Sequence, residues 1–346
     1  MKNKENTMAE KGYFRRVIKN ASLEKLKGTI NTVHERSGKN RLAIFLDMCG
    51  CFARYGAGYY DYQIFQFYNL TPAQRKTYVT RFISKKFNMF MNDPNYCDIF
   101  DNKDTFYEVF KEFTGRSYLN LSNATKEDVA RFVEGKERIF CKPRSKTCGE
   151  GCERLNITDF ASTDDLYDYL KSHDFYTIED VLVNHPDVRR LYDNAVNSMR
   201  IITLLDDSKQ VHILYIVQKI GLNGSIIDNN CMFSPVDIET GKIKYPAHSG
   251  DTTLGIVYTQ HPNTGITIQG YQLPFVKEAV EMVRKAALKV PQVRYVGWDV
   301  AVTENGPVII EGNTYCAHDF WQLPPHTPDK IGMLPTLKKL VPDFKY

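Results

Sequence analysis

Apolar positions are sparse over the first forty residues and are separated by Lys and Glu, which predicts polar helix across residues 1–40. The run Arg41–Met48 (RLAIFLDM) is short and almost unbroken in its apolarity; periodicity alone leaves it between a buried strand and a helical turn. Tyr59–Tyr68 (YYDYQIFQFY) is densely aromatic and reads as core. Thr71-Pro72 opens a helix, with Thr as the N-cap and Pro in the first turn. Asn102–Phe113 places apolar residues at 106, 109, 110 and 113, one face of an amphipathic helix.

Glu137–Lys142 (ERIFCK) reads as a strand ended by Pro143, after which comes a loop containing Gly149 and Gly151. Asp164–Leu170 is a short helix, Thr177–Val183 is strand-like, and His185-Pro186 opens a helix running to Tyr192. From Met199 the pattern turns to strands: MRIITLL, then VHILYIVQKI, ended by Gly221. Lys277–Leu288 is an amphipathic helix. Arg294–Val302 and Pro307–Glu311 form a hairpin, signalled by Asn305-Gly306 between them. Helices first and antiparallel hairpins later define an α+β chain. The expected division is a helical or mixed region over 1–100, a small lobe over 101–185 and a large lobe over 186–346.

The length, 346 residues, exceeds what one compact core holds and agrees with two or three lobes. A net charge of +4 makes no electrostatic case for a nucleic-acid or membrane partner. The first twenty residues lack the apolar run of a signal peptide, and no stretch approaches the roughly 18 apolar residues of a membrane span. The cytoplasm is therefore the expected location, and the eight cysteines read as reduced thiols. Cys148 and Cys152 flank a glycine pair with no second Cys/His pair at zinc spacing.

The C-terminal hairpin carries the sharpest chemistry. Asp299 lies inside an apolar strand, where an unpaired carboxylate is costly. Glu311 and Asn313 end the partner strand two residues apart, so both side chains point to one face. Antiparallel pairing can bring Asp299 to that face, giving two carboxylates and an amide oxygen, hard donors suited to Mg2+. Alone, Glu311 reads as a polar strand end; the three together read as a metal site. The segment from Lys142 to Cys152 is a basic, glycine-containing loop after a strand, a form that lets backbone N–H groups approach phosphate. No Walker A loop occurs, and Gly56-Ala57-Gly58 lacks the third glycine of a dinucleotide fingerprint. Arg200 at a strand start is either solvated or poised to grip a phosphate or carboxylate in bidentate fashion.

Taken together these stretches resemble the ATP-grasp superfamily, and more narrowly its sugar-transfer-associated family. The resemblance rests on Asp61-Tyr62 with Phe65, Asn102-Lys103 with Phe106-Tyr107, Lys142-Pro143, Asn197 to Arg200, Asp228-Asn229, His261 to Gly265, Gly297-Trp298-Asp299 and Ile310 to Asn313, and it runs from about residue 42 to 325. It implies a nucleotide clamped between two α+β lobes. Lys103 and Lys142 would contact ATP phosphates, with the loop Lys146 to Gly151, including Gly149, folding over them. Glu179, Asp180 and Leu182 would lie beside adenine and ribose. Arg200 would steady the transferred phosphoryl group, with Lys142 assisting. Asp299, Glu311 and Asn313 would hold Mg2+. Asp228, Asn229 and His261 would face the acceptor, although His-Pro at a turn also has a purely structural reading. The chain departs from the family after Asp228-Asn229, where Asn230-Cys231-Met232-Phe233 stands in place of glycines. The implied reaction is ATP-dependent joining of a small-molecule carboxylate to an amine, or less often a thiol or hydroxyl, in polysaccharide, cell-envelope or secondary-metabolite synthesis. The alternatives are a kinase acting on a small hydroxyl compound and a nucleotide-binding protein without catalysis.

Overall fold

The computed structural model describes residues 23–144, 151–224 and 231–346. A helical region comes first: α1 (Leu23–Ser37), α2 (Arg41–Tyr55), α3 (Tyr59–Ile64), α4 (Pro72–Arg75), α5 (Arg81–Met91), α6 (Pro94–Asp101) and α7 (Lys103–Thr114). The ambiguous run at Arg41 is helix. Asn40 accepts from the backbone N–H groups of Leu42 and Ala43 at its start, and Gly56 at φ 63° closes its end. Thr71 caps α4 through a reciprocal pair with Gln74, and Asn102 caps α7.

A four-stranded antiparallel sheet follows, built from β1 (Tyr118–Asn120), β2 (Arg138–Pro143), β3 (Glu153–Asn156) and β4 (Phe175–Asp180) in the order β1-β4-β2-β3. Helices α8 (Lys126–Val133) and α9 (Thr163–Ser172) cover it through Val129, Val133, Leu166 and Leu170 against Ile139, Cys141 and Ile178. β4 stops at Asp180, short of the expected Val183, because 181–184 leaves this sheet to become the linker to the next. The linker is pinned to the second sheet: Asn184 donates to Asn197 O at 3.0 Å, and the His185 N–H donates to Val302 O at 2.7 Å. The helix opened by Pro186, α10 (Pro186–Arg189), ends well before Tyr192.

The second sheet is seven-stranded and antiparallel: β5 (Ser198–Leu205), β6 (Val211–Gly221), β7 (Cys231–Pro235), β8 (Ala247–Ser249), β9 (Val257–Tyr258), β10 (Tyr295–Thr303) and β11 (Gly306–Asn313), in the order β11-β10-β5-β6-β7-β8-β9. Helix α11 (Val276–Ala287) packs on one face with α6 and α7, around Trp298, which is 0% exposed and donates to Thr203 Oγ1 at 2.9 Å. The opposite face carries Ile202, Leu204, Tyr215, Val217 and Tyr295, covered by α5 and by α12 (Leu334–Leu340). The first helices, α1 to α3, close the end of that face against Phe233 and Leu323. In the β10–β11 hairpin Thr303 pairs with Gly306, so Glu304 and Asn305 form the loop and Gly306 alone takes a positive φ, 112°. Among the described residues no helix is long and apolar enough to cross a membrane.

Candidate active site

Strand alternation decides which side chains share the open end of the large sheet. Arg200 pairs with Asp299, and Asp299 pairs with Glu311, so the three stand in a row across β5, β10 and β11 on one face. Arg200 grips Asp299 with two parallel N–H donors, Nε to Oδ1 and Nη2 to Oδ2 at 2.7 Å. Lys219, from β6, places its Nζ 3.6 Å from the same carboxylate. Burial alone would raise the Asp299 carboxyl; the two cations outweigh it and hold the group below the ordinary carboxylate range. Glu311 opens to the cleft. Protein walls around its carboxylate, and then the charge of Asp299, push it upward. Asn313 donates from Nδ2 to Glu311 Oε1 at 3.1 Å, which leaves its Oδ1 as an acceptor. Gly297 makes the row possible: a Cβ there would stand 3.0 Å from Ile202 Cδ1 and 3.2 Å from the Cδ of Arg200.

The small sheet contributes cations. Lys142 on β2 approaches the Glu179 carboxylate at 2.6 Å, and Arg116 donates to it at 2.8 Å. Burial would raise Glu179, but Lys142 and Arg116 bring it down to about 2. Lys103, at the start of α7, donates to Pro143 O at 3.1 Å. Burial, and then the neighbouring charge of Lys142, lowers its pKa. The charge of Glu311 reaches both lysines across the gap between the sheets. Arg116 bridges that gap directly, donating from Nη1 to Ile309 O at 2.8 Å and from Nη2 to Ile310 O at 3.1 Å.

The remaining sequence expectations divide. Glu179 is turned inward as the counter-ion of Lys142 and Arg116. Asp180 accepts from the Ser117 N–H at 2.7 Å and pairs with Lys136 at 2.9 Å. Both acidic side chains of this segment are therefore committed to partners, and Leu182 is half-buried. Gly151 takes φ 72°. Lys146, Gly149, Asp228 and Asn229 lie outside the described residues. For His261 the structure shows a buried turn residue. It is 0% exposed, its Nδ1 accepts from the Asn263 N–H at 3.2 Å, its Nε2 donates to Gly221 O at 2.9 Å, and its ring stacks on Tyr192. With both nitrogens bonded to backbone it holds a loop, the structural one of its two expected roles.

Sequence reasoning missed Arg116 and Lys219. Lys219 had a signal, a lysine inside the apolar strand VHILYIVQKI. Arg116 had none, since its partners come from strands far along the chain. Among the described residues no group of three His, Cys, Asp or Glu side chains gathers as a metal cage. The donor set is two carboxylates with an amide.

The chain belongs to the sugar-transfer associated ATP-grasp family, whose model matches residues 129–337. No curated protein matches the chain. Among solved structures, it is similar to the carboxyaminoimidazole ribonucleotide synthase of Aspergillus clavatus complexed with ATP, with 14% identity, TM-score 0.39 and coverage of 63% of this chain and 45% of that one. It is also similar to the D-alanyl-alanine synthetase A of Vibrio cholerae, with 12% identity, TM-score 0.37 and coverage of 70% and 64%. A third likeness is to the macrocyclase MdnC of Microcystis aeruginosa bound with its precursor peptide MdnA, with 14% identity, TM-score 0.39 and coverage of 76% and 70%. The chain spans less than half the length of the ribonucleotide synthase it matches.

Proposed function

We propose that this chain is an ATP- and Mg2+-dependent ligase that activates a small-molecule carboxylate as an acyl phosphate and joins it to an amine. One observation carries the reading: Arg116 ties Glu179, the partner of Lys142, to Ile309 and Ile310 next to Glu311, so the lysine stands beside the strand pair that ends the row Arg200–Asp299–Glu311. Two neighbouring lysines, Lys103 and Lys142, suit binding of a polyanion, and the acidic pair opposite suits a divalent cation.

The residues present fit magnesium. Asp299 and Glu311 are adjacent like charges, the arrangement a dication relieves, and Asn313 adds an oxygen. When bound, magnesium neutralises phosphate charge during transfer. Lys103 and Lys142 position the phosphates, and the backbone from Glu179 to Leu182 borders the base. Arg200, preorganised by Asp299, steadies the charge that develops on the transferred group. A substrate carboxylate oxygen attacks the γ-phosphorus, and the bond to ADP breaks with its electrons on ADP. The amine then attacks the acyl carbon, phosphate leaves with the bonding pair, and the amine gives up a proton. No protein nucleophile is needed. The family's association with sugar transfer suggests a role in polysaccharide, cell-envelope or secondary-metabolite synthesis in the cytoplasm.

The test is a screen of ATP consumption, with phosphate release measured, across amino acids and amino sugars paired with simple carboxylates. Ligation yields ADP, free phosphate and a new amide. ADP with a phosphorylated product and no free phosphate makes the protein a kinase and overturns the ligase reading.

A further inference from the structure

The face that carries Arg200 and Asp299 does not end at the nucleotide cleft. From Asn313 the chain runs six residues to Asp319, a reach of at most about 21 Å, and there it meets the N-terminal helices. His318 donates to the buried Asp61 of α3 at 2.8 Å, and Asp61 also accepts from the backbone N–H groups of Arg81 and Gly58, each at 3.1 Å. That contact locks the starts of α3 and α5 against the loop after β11. Beside it, Tyr60 donates its hydroxyl to Asp319 Oδ2 at 2.8 Å and shares a hydrogen bond with Thr252 Oγ1 at 2.7 Å. The guanidinium of Arg81 lies over the Tyr60 ring, 4.6 Å from its centroid. Tyr215 joins the two regions: its hydroxyl donates to Ala317 O at 2.8 Å and lies in the field of both Arg200 and Asp319.

The charges here are uneven. His318 and Asp61 satisfy each other. Among the described residues, Arg81 and Asp319 take part in no ion pair, although they stand at the face and the hydroxyl end of one tyrosine ring. Asp319 is 7% exposed, and Arg81 is open to solvent. A cation and a carboxylate held apart on a rigid ring, without ion-pair partners, complement a ligand with the opposite charges.

We propose that the helical region completes the acceptor half of the active site, and that Arg81 and Asp319 receive a zwitterion, a free amino acid whose carboxylate meets Arg81 and whose ammonium meets Asp319. This rests on the reading of the neighbouring cleft as a ligase site, because it places the acceptor amine on the same sheet face as Arg200. Asp319 then serves as the acceptor's anchor, and the substrate surface lies on the helices rather than at His261.

The test is direct binding of the twenty free amino acids, with their N-acetyl and carboxamide derivatives, to the full chain by calorimetry, with and without ATP and Mg2+. The expected result is saturable binding of at least one free amino acid, lost in both of its derivatives. Arg81→Gln and Asp319→Asn should each weaken it tenfold or more, with Arg81→Lys intermediate and ATP affinity unaltered. Because Arg81 is exposed and Asp319→Asn is isosteric, circular dichroism should confirm that both variants fold. No binding of any free amino acid, or equal binding by the variants, overturns the inference. Amino-acid binding without ATP binding upholds this subsite and instead overturns the ligase reading.

Discussion

Asp299 and Glu311 are register partners across β10 and β11, yet their carboxyls are driven in opposite directions. Arg200 and Lys219 take up the charge of Asp299, and Glu311 is left facing it with an amide as its hydrogen-bonding partner. Because the folded pKa of Glu311 lies above its ordinary 4.5, the ionised form is disfavoured by folding, and stability falls as pH rises through that range. Glu311→Gln should therefore raise the Tm at pH 7 without metal. Mg2+ should raise the Tm of the wild type and leave that of the variant nearly unmoved. Thermal unfolding with and without Mg2+ from pH 4 to 8 checks this; an equal Mg2+ shift in both proteins would remove Glu311 from the metal site.

The opposite sign holds for Glu179. Its folded pKa of about 2 lies below its ordinary value, so it contributes stability above the ordinary carboxylate range that is lost as pH falls toward 2. Removing a partner strands a buried charge: Arg116→Met should cost about 3–5 kcal/mol in urea unfolding. Adding Glu179→Gln should recover part of that loss. If the double variant is no more stable than Arg116→Met, Arg116 acts chiefly through its bonds to Ile309 and Ile310.

The Asp61–His318 contact gives a pH signature of the other kind. Burial would lower His318, but Asp61 raises it above 6.5, so its stabilisation is full below pH 6.5 and disappears as pH rises through the folded value. Wild-type Tm should decline across that interval, and His318→Gln should lose the dependence. A variant with an unchanged pH slope would show that the pair is not charged.

His261→Gln separates the structural role of this histidine from the expected substrate role. Two hydrogen bonds to backbone at a buried site predict a loss of about 1–3 kcal/mol. Any activity should keep its KM within about twofold, since the ring has no free nitrogen. A tenfold rise in KM with unchanged stability would return His261 to the acceptor site.

Most of the fold was legible because its signals are local. The Asn305-Gly306 hairpin, the Thr71 cap, the apolar face of Asn102–Phe113 and the strand run before Gly221 each depend on neighbours in sequence. The shared face of Asp299, Glu311 and Asn313 was legible for the same reason, since a two-residue period sets it. Arg41–Met48 was ambiguous because an apolar run fits strand and helix alike; the Asn40 cap and Gly56 decide it. Long-range contacts left no such trace. Arg116 finds its partners at Glu179 and Ile309, and Asp319 finds Tyr60. His261 stayed open between two roles because His-Pro-Asn reads alike in a site and in a structural turn.

Titration of ATP into the full chain, with and without Mg2+, tests the central claim most directly. The two-sheet cleft predicts saturable binding that Mg2+ strengthens, weakened tenfold or more by Lys142→Ala, with the Mg2+ dependence abolished in Glu311→Gln. Absent ATP binding, or the same Mg2+-dependent affinity in wild type and both variants, would contradict it.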